Sequence, residues 1–224
     1  MHPVDPLRNP YTPNAGARPQ ALVGRDDQLA SFDLLLARLT RGRTEQSMII
    51  TGLRGVGKTV LLGRFRAKAE SAGWVVIEIE ASKHNDQEFR RDLALRLRTA
   101  LLELSPKAQW SDRLRRAAAA LRSFTLKVDD QGAWYASLQI EPVDGLADHD
   151  DLALDLTDVL VAVGEAAAGQ QRGLVILIDE IQFLTRPQLE ALIAALHKVV
   201  QRELPVTLVG AGLPQIAELA GDAK

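Results

Sequence analysis

Gly52-Leu53-Arg54-Gly55-Val56-Gly57-Lys58-Thr59 fits the pattern G-x-x-x-x-G-K-[ST] of a phosphate-binding loop. Ser47-Met48-Ile49-Ile50-Thr51 before it is a short apolar run that reads as a buried strand. Val60-Leu61-Leu62 through Ala72 behind it reads as a helix, with Gly73 as its stop. Strand, glycine loop and helix are the three parts that phosphate binding needs. Glycines let backbone N–H groups converge on phosphate oxygens, where a Cβ would block the approach. The helix N-terminus adds its dipole and its free donors. Gly52 through Thr59, with Val60 next to them, are therefore the expected nucleotide-binding residues. Lys58 is expected to reach the β- and γ-phosphates, and the Thr59 hydroxyl to ligate Mg²⁺. A glycine-rich turn that holds no ligand is the bland alternative, and the flanking strand and helix argue against it.

A second stretch completes the chemistry. Gly173-Leu174-Val175-Ile176-Leu177-Ile178-Asp179-Glu180 reads as a strand buried on both faces, with two carboxylates at its C-terminal end. Ligands of open α/β sheets sit beyond the carboxyl ends of the strands, so this pair and the glycine loop are expected to face one crevice. Asp179 is expected to hold Mg²⁺ through water, since that ion keeps much of its hydration shell. Glu180 is placed to polarise an attacking water as general base. A strand ending in Asp-Glu also arises by chance; pairing with a complete phosphate loop gives it meaning.

Composition narrows the class. With 46% hydrophobic and 25% charged residues among 224, the chain can build a normal globular core of one sizeable α/β domain. Aromatics are only 4%, so that core must consist of Leu, Val, Ile and Ala. A net charge of -2 gives no bulk attraction to nucleic acid or acidic membrane. The absence of cysteine excludes disulfides, thiolate metal sites and cysteine nucleophiles. No apolar run is long enough to span a bilayer, and the start Met1-His2-Pro3-Val4-Asp5-Pro6 lacks a signal-peptide core, so a cytoplasmic location with no membrane partner is expected.

The remaining segments fill an α/β series. Residues 1–20 are rich in Pro and Asn and form an extended segment, partly docked through Tyr11 and Leu22-Val23-Gly24. Asp26 to Arg41 is an amphipathic helix with Leu29, Phe32, Leu35, Leu36 and Leu39 on one face. Residues 74–80 form a second strand and 86–104 a helix, and Ser111 opens another helix to about Arg122. Arginines decorate these two helices, and acidic neighbours make a solvated face the simpler reading than a nucleic-acid surface. Phe124 to Val128 and Trp134 to Ile140, about Asp129-Asp130-Gln131-Gly132, read as a β-hairpin inserted at about 123–141. Its aromatics read as packing residues rather than a partner-contacting tip. Leu152 to Ala168 is a long helix, Thr185 opens the next with a capping box, and Val206 to Gly210 is a fourth core strand before a last short helix.

Taken together these residues resemble the ATPase core of AAA+ proteins of the additional-strand class, in particular the replication-initiator-like (origin-recognition), archaeal-type and STAND ATPases. The resemblance rests on Leu22-Val23-Gly24-Arg25-Asp26 as entry segment, Gly52 to Thr59 as Walker A and Leu174 to Glu180 as Walker B. Gly210-Ala211-Gly212-Leu213-Pro214 resembles the turn after the fourth strand. It covers about residues 9–220, less specifically over 86–150. It implies a parallel-sheet P-loop NTPase core over residues 21–224 with strand order 1-4-3-2. A fifth strand beyond the first, and a helical lid with its sensing arginine, are expected to be missing, as in a fragment. It implies ATP or ADP with Mg²⁺, with Tyr11, Val23 and Gly24 packing near the adenine. No guanine signature Asn/Thr-Lys-x-Asp follows.

Two departures matter. The end of the fourth strand, which usually carries a polar side chain that positions water, is Gly210-Ala211, with Thr207 deeper, so slow hydrolysis is expected. Arg202 stands where a trans-acting arginine finger usually lies, or simply complements a helix dipole. The resemblance thus implies an ATP-dependent switch able to self-associate through its ATPase face. A DNA-associated ATPase, acting through regions beyond Lys224, and an inactive nucleotide-binding scaffold are the alternatives.

Overall fold

The computed structural model describes residues 24–83, 85–105, 110–125 and 140–216. Its elements follow the expected α/β alternation. Helix α1 spans Asp26–Thr40, strand β1 Met48–Thr51, α2 Lys58–Ser71 and β2 Val75–Glu80. Then come α3 at Asp86–Leu104, α4 at Asp112–Thr125 and α5 at Leu152–Gly169. Strand β3 covers Leu174–Asp179, a single 3₁₀ turn Ile181–Phe183, α6 Arg186–Gln201 and β4 Val206–Gly212.

The four strands are all parallel, in the order β1-β4-β3-β2, as the resemblance implies. Period-two alternation divides their side chains between two helical layers. Val175, Leu177, Val209, Ala211 and Ile50 pack with Phe32, Leu36, Leu61 and Phe65 of α1 and α2. Leu174, Ile176, Ile178, Val206 and Leu208 pack into a larger cluster built on α3 to α6. Strand β3 has no exposed face, which is why it is a continuous apolar run; β2 lies at the sheet edge and is buried at alternate residues.

Local signals place the helices. Asn85 accepts from the Glu88 N–H and Glu88 reaches back to the Asn85 N–H, so α3 opens with a capping box. Thr185 and Gln188 do the same for α6, with Pro187 in its first turn. A buried ion pair joins α3 to α5: Arg90 lies 2.8 Å from Asp155 and stacks over the Phe124 ring of α4.

The inserted hairpin requires correction at both ends. Helix α4 continues through Ser123, Phe124 and Thr125, because Phe124 and its neighbours are buried against the α3–α5 layer and continue the apolar stripe of Leu114, Ala117, Ala118 and Leu121. Ile140, expected to close the second arm, belongs to no strand; it is buried in a loop and its carbonyl accepts from Arg122. The rest of the hairpin lies outside the described residues, as do the extended segment 1–20 and all of the last short helix beyond Ile216. No helix among the described residues is long and apolar enough to cross a membrane.

Candidate nucleotide site

The loop between β1 and α2 is shaped by its glycines. Gly55 and Gly57 both have φ of 81°, a left-handed conformation costly for any residue with a Cβ. Gly57 is the N-cap of α2, so the backbone turns sharply and leaves the first N–H groups of the helix unsatisfied at the loop mouth. A Cβ on Gly52 would lie 2.8 Å from the Val56 methyl, so any other residue there would force the exposed Val56 side chain to shift. The Gly52 N–H donates to the Gly212 carbonyl at 3.1 Å, anchoring the start of the loop to the end of β4.

Lys58 is 6% exposed, and its ammonium donates to the carbonyls of Gly52 and Leu53, each at 3.0 Å. The cation is thus folded into the concavity of its own loop. One residue on, the Thr59 hydroxyl donates to Asp179 Oδ2 at 2.5 Å, although 120 residues separate them. Parallel topology explains this meeting. β1 and β3 both flank β4 and end at the same edge of the sheet, where the loop after β1 and the last residue of β3 converge.

Asp179 also accepts from the N–H of Glu180 at 2.8 Å. Glu180 adopts φ 51° and ψ 38°, a left-handed turn that takes the chain abruptly off the sheet. Its carboxylate accepts a hydrogen bond from the side-chain amide of Gln182. Lys58 and Thr59 at the start of α2 thus lie next to Asp179 and Glu180 at the end of β3, at one edge of the sheet. Of the residues expected near an adenine, Gly24 has φ 76° just before α1, while Tyr11 and Val23 lie outside the described residues.

Two further residues carry contacts that sequence reasoning left without a role. Arg25, the N-cap residue of α1, donates to the Val56 carbonyl at the tip of the loop at 2.9 Å. Gln182 touches Glu180 and accepts from the Leu213 N–H at 3.1 Å. Arg25 stood within the quoted entry segment; nothing in the local pattern marks Gln182. Thr207 is no part of the site: it is 1% exposed and pairs with Val175, four positions below Asp179 on β3. Arg202 caps the C-terminus of α6 and forms an ion pair with Glu165 of α5 at 3.0 Å. A groove of about 540 Å³ lies elsewhere, between α1, α2 and Trp74.

The family described as AAA ATPase domain matches residues 21–209. The chain is a member of that AAA ATPase domain family. The match takes in the glycine loop, the carboxylate pair and most of β4, so the geometry above is that of an AAA ATPase domain, and membership implies nucleotide binding. Among solved structures, the Aeropyrum pernix ORC1 protein in complex with DNA is similar at 21% identity and a TM-score of 0.39. That likeness covers 90% of this chain and 42% of the other, so this AAA ATPase domain spans less than half of that protein. No curated protein matches the sequence.

Proposed function

We propose that this domain binds ATP together with Mg²⁺ in the crevice between the α2 N-terminus and the end of β3, hydrolyses it slowly, and acts as a nucleotide-dependent switch. The observation that carries this reading is the 2.5 Å contact between Thr59 and Asp179 beside the buried Lys58 ammonium. The donor set fits the ligands. The glycine loop presents free N–H groups and one cation for polyphosphate, and a hydroxyl next to a carboxylate suits a small hard cation. Thr59 and Asp179 would hold the Mg²⁺. When bound, the ion would neutralise charge on the phosphate oxygens.

The chain's own residues supply the rest. Lys58 would exchange its two carbonyl partners for phosphate oxygens. The Glu180 carboxylate would take a proton from the attacking water. The end of β4 offers only Gly210, Ala211 and Gly212, none with a polar side chain to position that water, which supports a low rate. The absence of a guanine signature supports ATP.

Two variants test the assignment. Lys58→Ala is expected to abolish binding of a fluorescent ATP analogue in Mg²⁺ buffer while leaving the circular dichroism spectrum intact. Glu180→Gln is expected to bind the analogue as well as wild type and to release phosphate about 10²-fold more slowly or less. Undiminished release from Glu180→Gln would remove the base assignment. A wild type that binds but never releases phosphate would leave a nucleotide-binding scaffold.

A further inference from the structure

We propose that Gln182 is a positioning residue that orients the Glu180 carboxylate and fixes it to the end of β4; this rests on the reading of Glu180 as the base. The left-handed turn at Glu180 feeds directly into the 3₁₀ turn Ile181–Phe183, which folds Gln182 back over the residue two before it. The Gln182 amide nitrogen donates to the Glu180 carboxylate, and its carbonyl oxygen accepts from the Leu213 N–H at 3.1 Å. Only one orientation of the amide satisfies both neighbours. The opposite one would face an oxygen to a carboxylate and an NH₂ to an N–H, so the geometry is self-specifying.

The sequence of β4 makes room for this bridge. A Cβ on Gly212 would lie 2.7 Å from Gln182 Oε1 and 2.9 Å from the Ile181 methyl, and one on Gly210 would lie 2.7 Å from Ile181 Cδ1. Small residues at the end of β4 and a polar side chain arriving from the turn after β3 are thus two halves of one arrangement. A carboxylate on a partly exposed side chain samples several rotamers. One that accepts from a fixed amide is held in a single orientation before substrate arrives, and such preorganisation acts on turnover rather than on binding.

The test uses steady-state phosphate release with MgATP. Gln182→Ala is expected to lower kcat about tenfold with KM unchanged to within about twofold. Gly212→Ala, whose Cβ would crowd Gln182 Oε1 and the buried Ile181 methyl without touching Glu180, is expected to reproduce that loss while its circular dichroism spectrum shows the domain still folded. In a Glu180→Gln background neither change is expected to lower the residual rate further, because the group being oriented is gone. An unchanged kcat in Gln182→Ala overturns the proposal, as does a loss that persists in full in the Glu180→Gln background. Full turnover in Glu180→Gln alone overturns the base assignment, and this proposal with it, before Gln182 is altered.

Discussion

Thr207 shows what a single buried atom contributes. Its side chain lies on the same face of β4 as Val209 and Ala211, toward the α1–α2 layer, and its hydroxyl has no hydrogen-bond partner among the described residues. A buried hydroxyl without a partner costs about 1–3 kcal/mol of lost hydration. Thr207→Val keeps the branched shape and removes the orphan oxygen. It is therefore expected to stabilise the fold by about 1 kcal/mol, read as a higher urea midpoint at unchanged slope; a lower midpoint would show that the hydroxyl is used. At this scale the sequence was legible where chemistry is written into local spacing. Lys58 and Thr59 follow from the glycine loop, and Asp179 and Glu180 from the end of an apolar run. Gln182 and Arg25 were not, because each acquires its meaning from a backbone group far along the chain, Leu213 and Val56.

At the scale of elements, periodicity and caps place α1, α3, α5 and α6 within a residue or two of their ends. The end of α4 escaped because Phe124 and Thr125 suit a strand by propensity, while packing of Phe124 beneath Arg90 retains them in the helix. The loop from Ile140 to Asp151 is likewise set by tertiary contacts. Asp158 of α5 accepts from the Ala147 N–H at 3.0 Å and lies 2.9 Å from His149 Nε2, while Asp155 accepts from the His149 N–H at 2.8 Å. The hydrogen bond to Asp158 raises the His149 pKa above its usual 6.5, against slight desolvation, and the charges of Asp158, Asp155 and Asp148 add to the rise. A histidine whose folded pKa is raised contributes stability that is fully present below the unfolded value and is lost as pH climbs through the folded one. His149→Ala is therefore expected to melt below wild type at about pH 5.5 and together with it at about pH 9, measured by differential scanning fluorimetry. An equal gap at both values would mean that the ring packs rather than pairs.

Over the whole molecule, the β1-β4-β3-β2 arrangement of parallel strands agrees with the expected family topology. Among the described residues the sheet ends at β1. No described strand pairs with its outer edge, and Ile49 on it is 41% exposed. The fifth strand implied by the resemblance would add at this edge. Such an edge also invites a second copy. Ile49→Lys is expected to reduce concentration-dependent association in sedimentation while leaving binding of the MgATP analogue unchanged; association unaltered by the lysine would place any self-contact elsewhere.

The two helical layers also differ in their chromophores. Trp74 belongs to the apolar cluster beneath α1 and α2, and Trp110 to the one beneath α3 to α6. Each side of the sheet thus has its own indole, shielded from solvent and sensitive to loss of its surroundings. With Trp134 and one of the two replaced by phenylalanine, emission reports on a single side. Superimposable denaturation curves from the two versions would show that both faces dissolve as one cooperative unit, and separate curves that one outlasts the other.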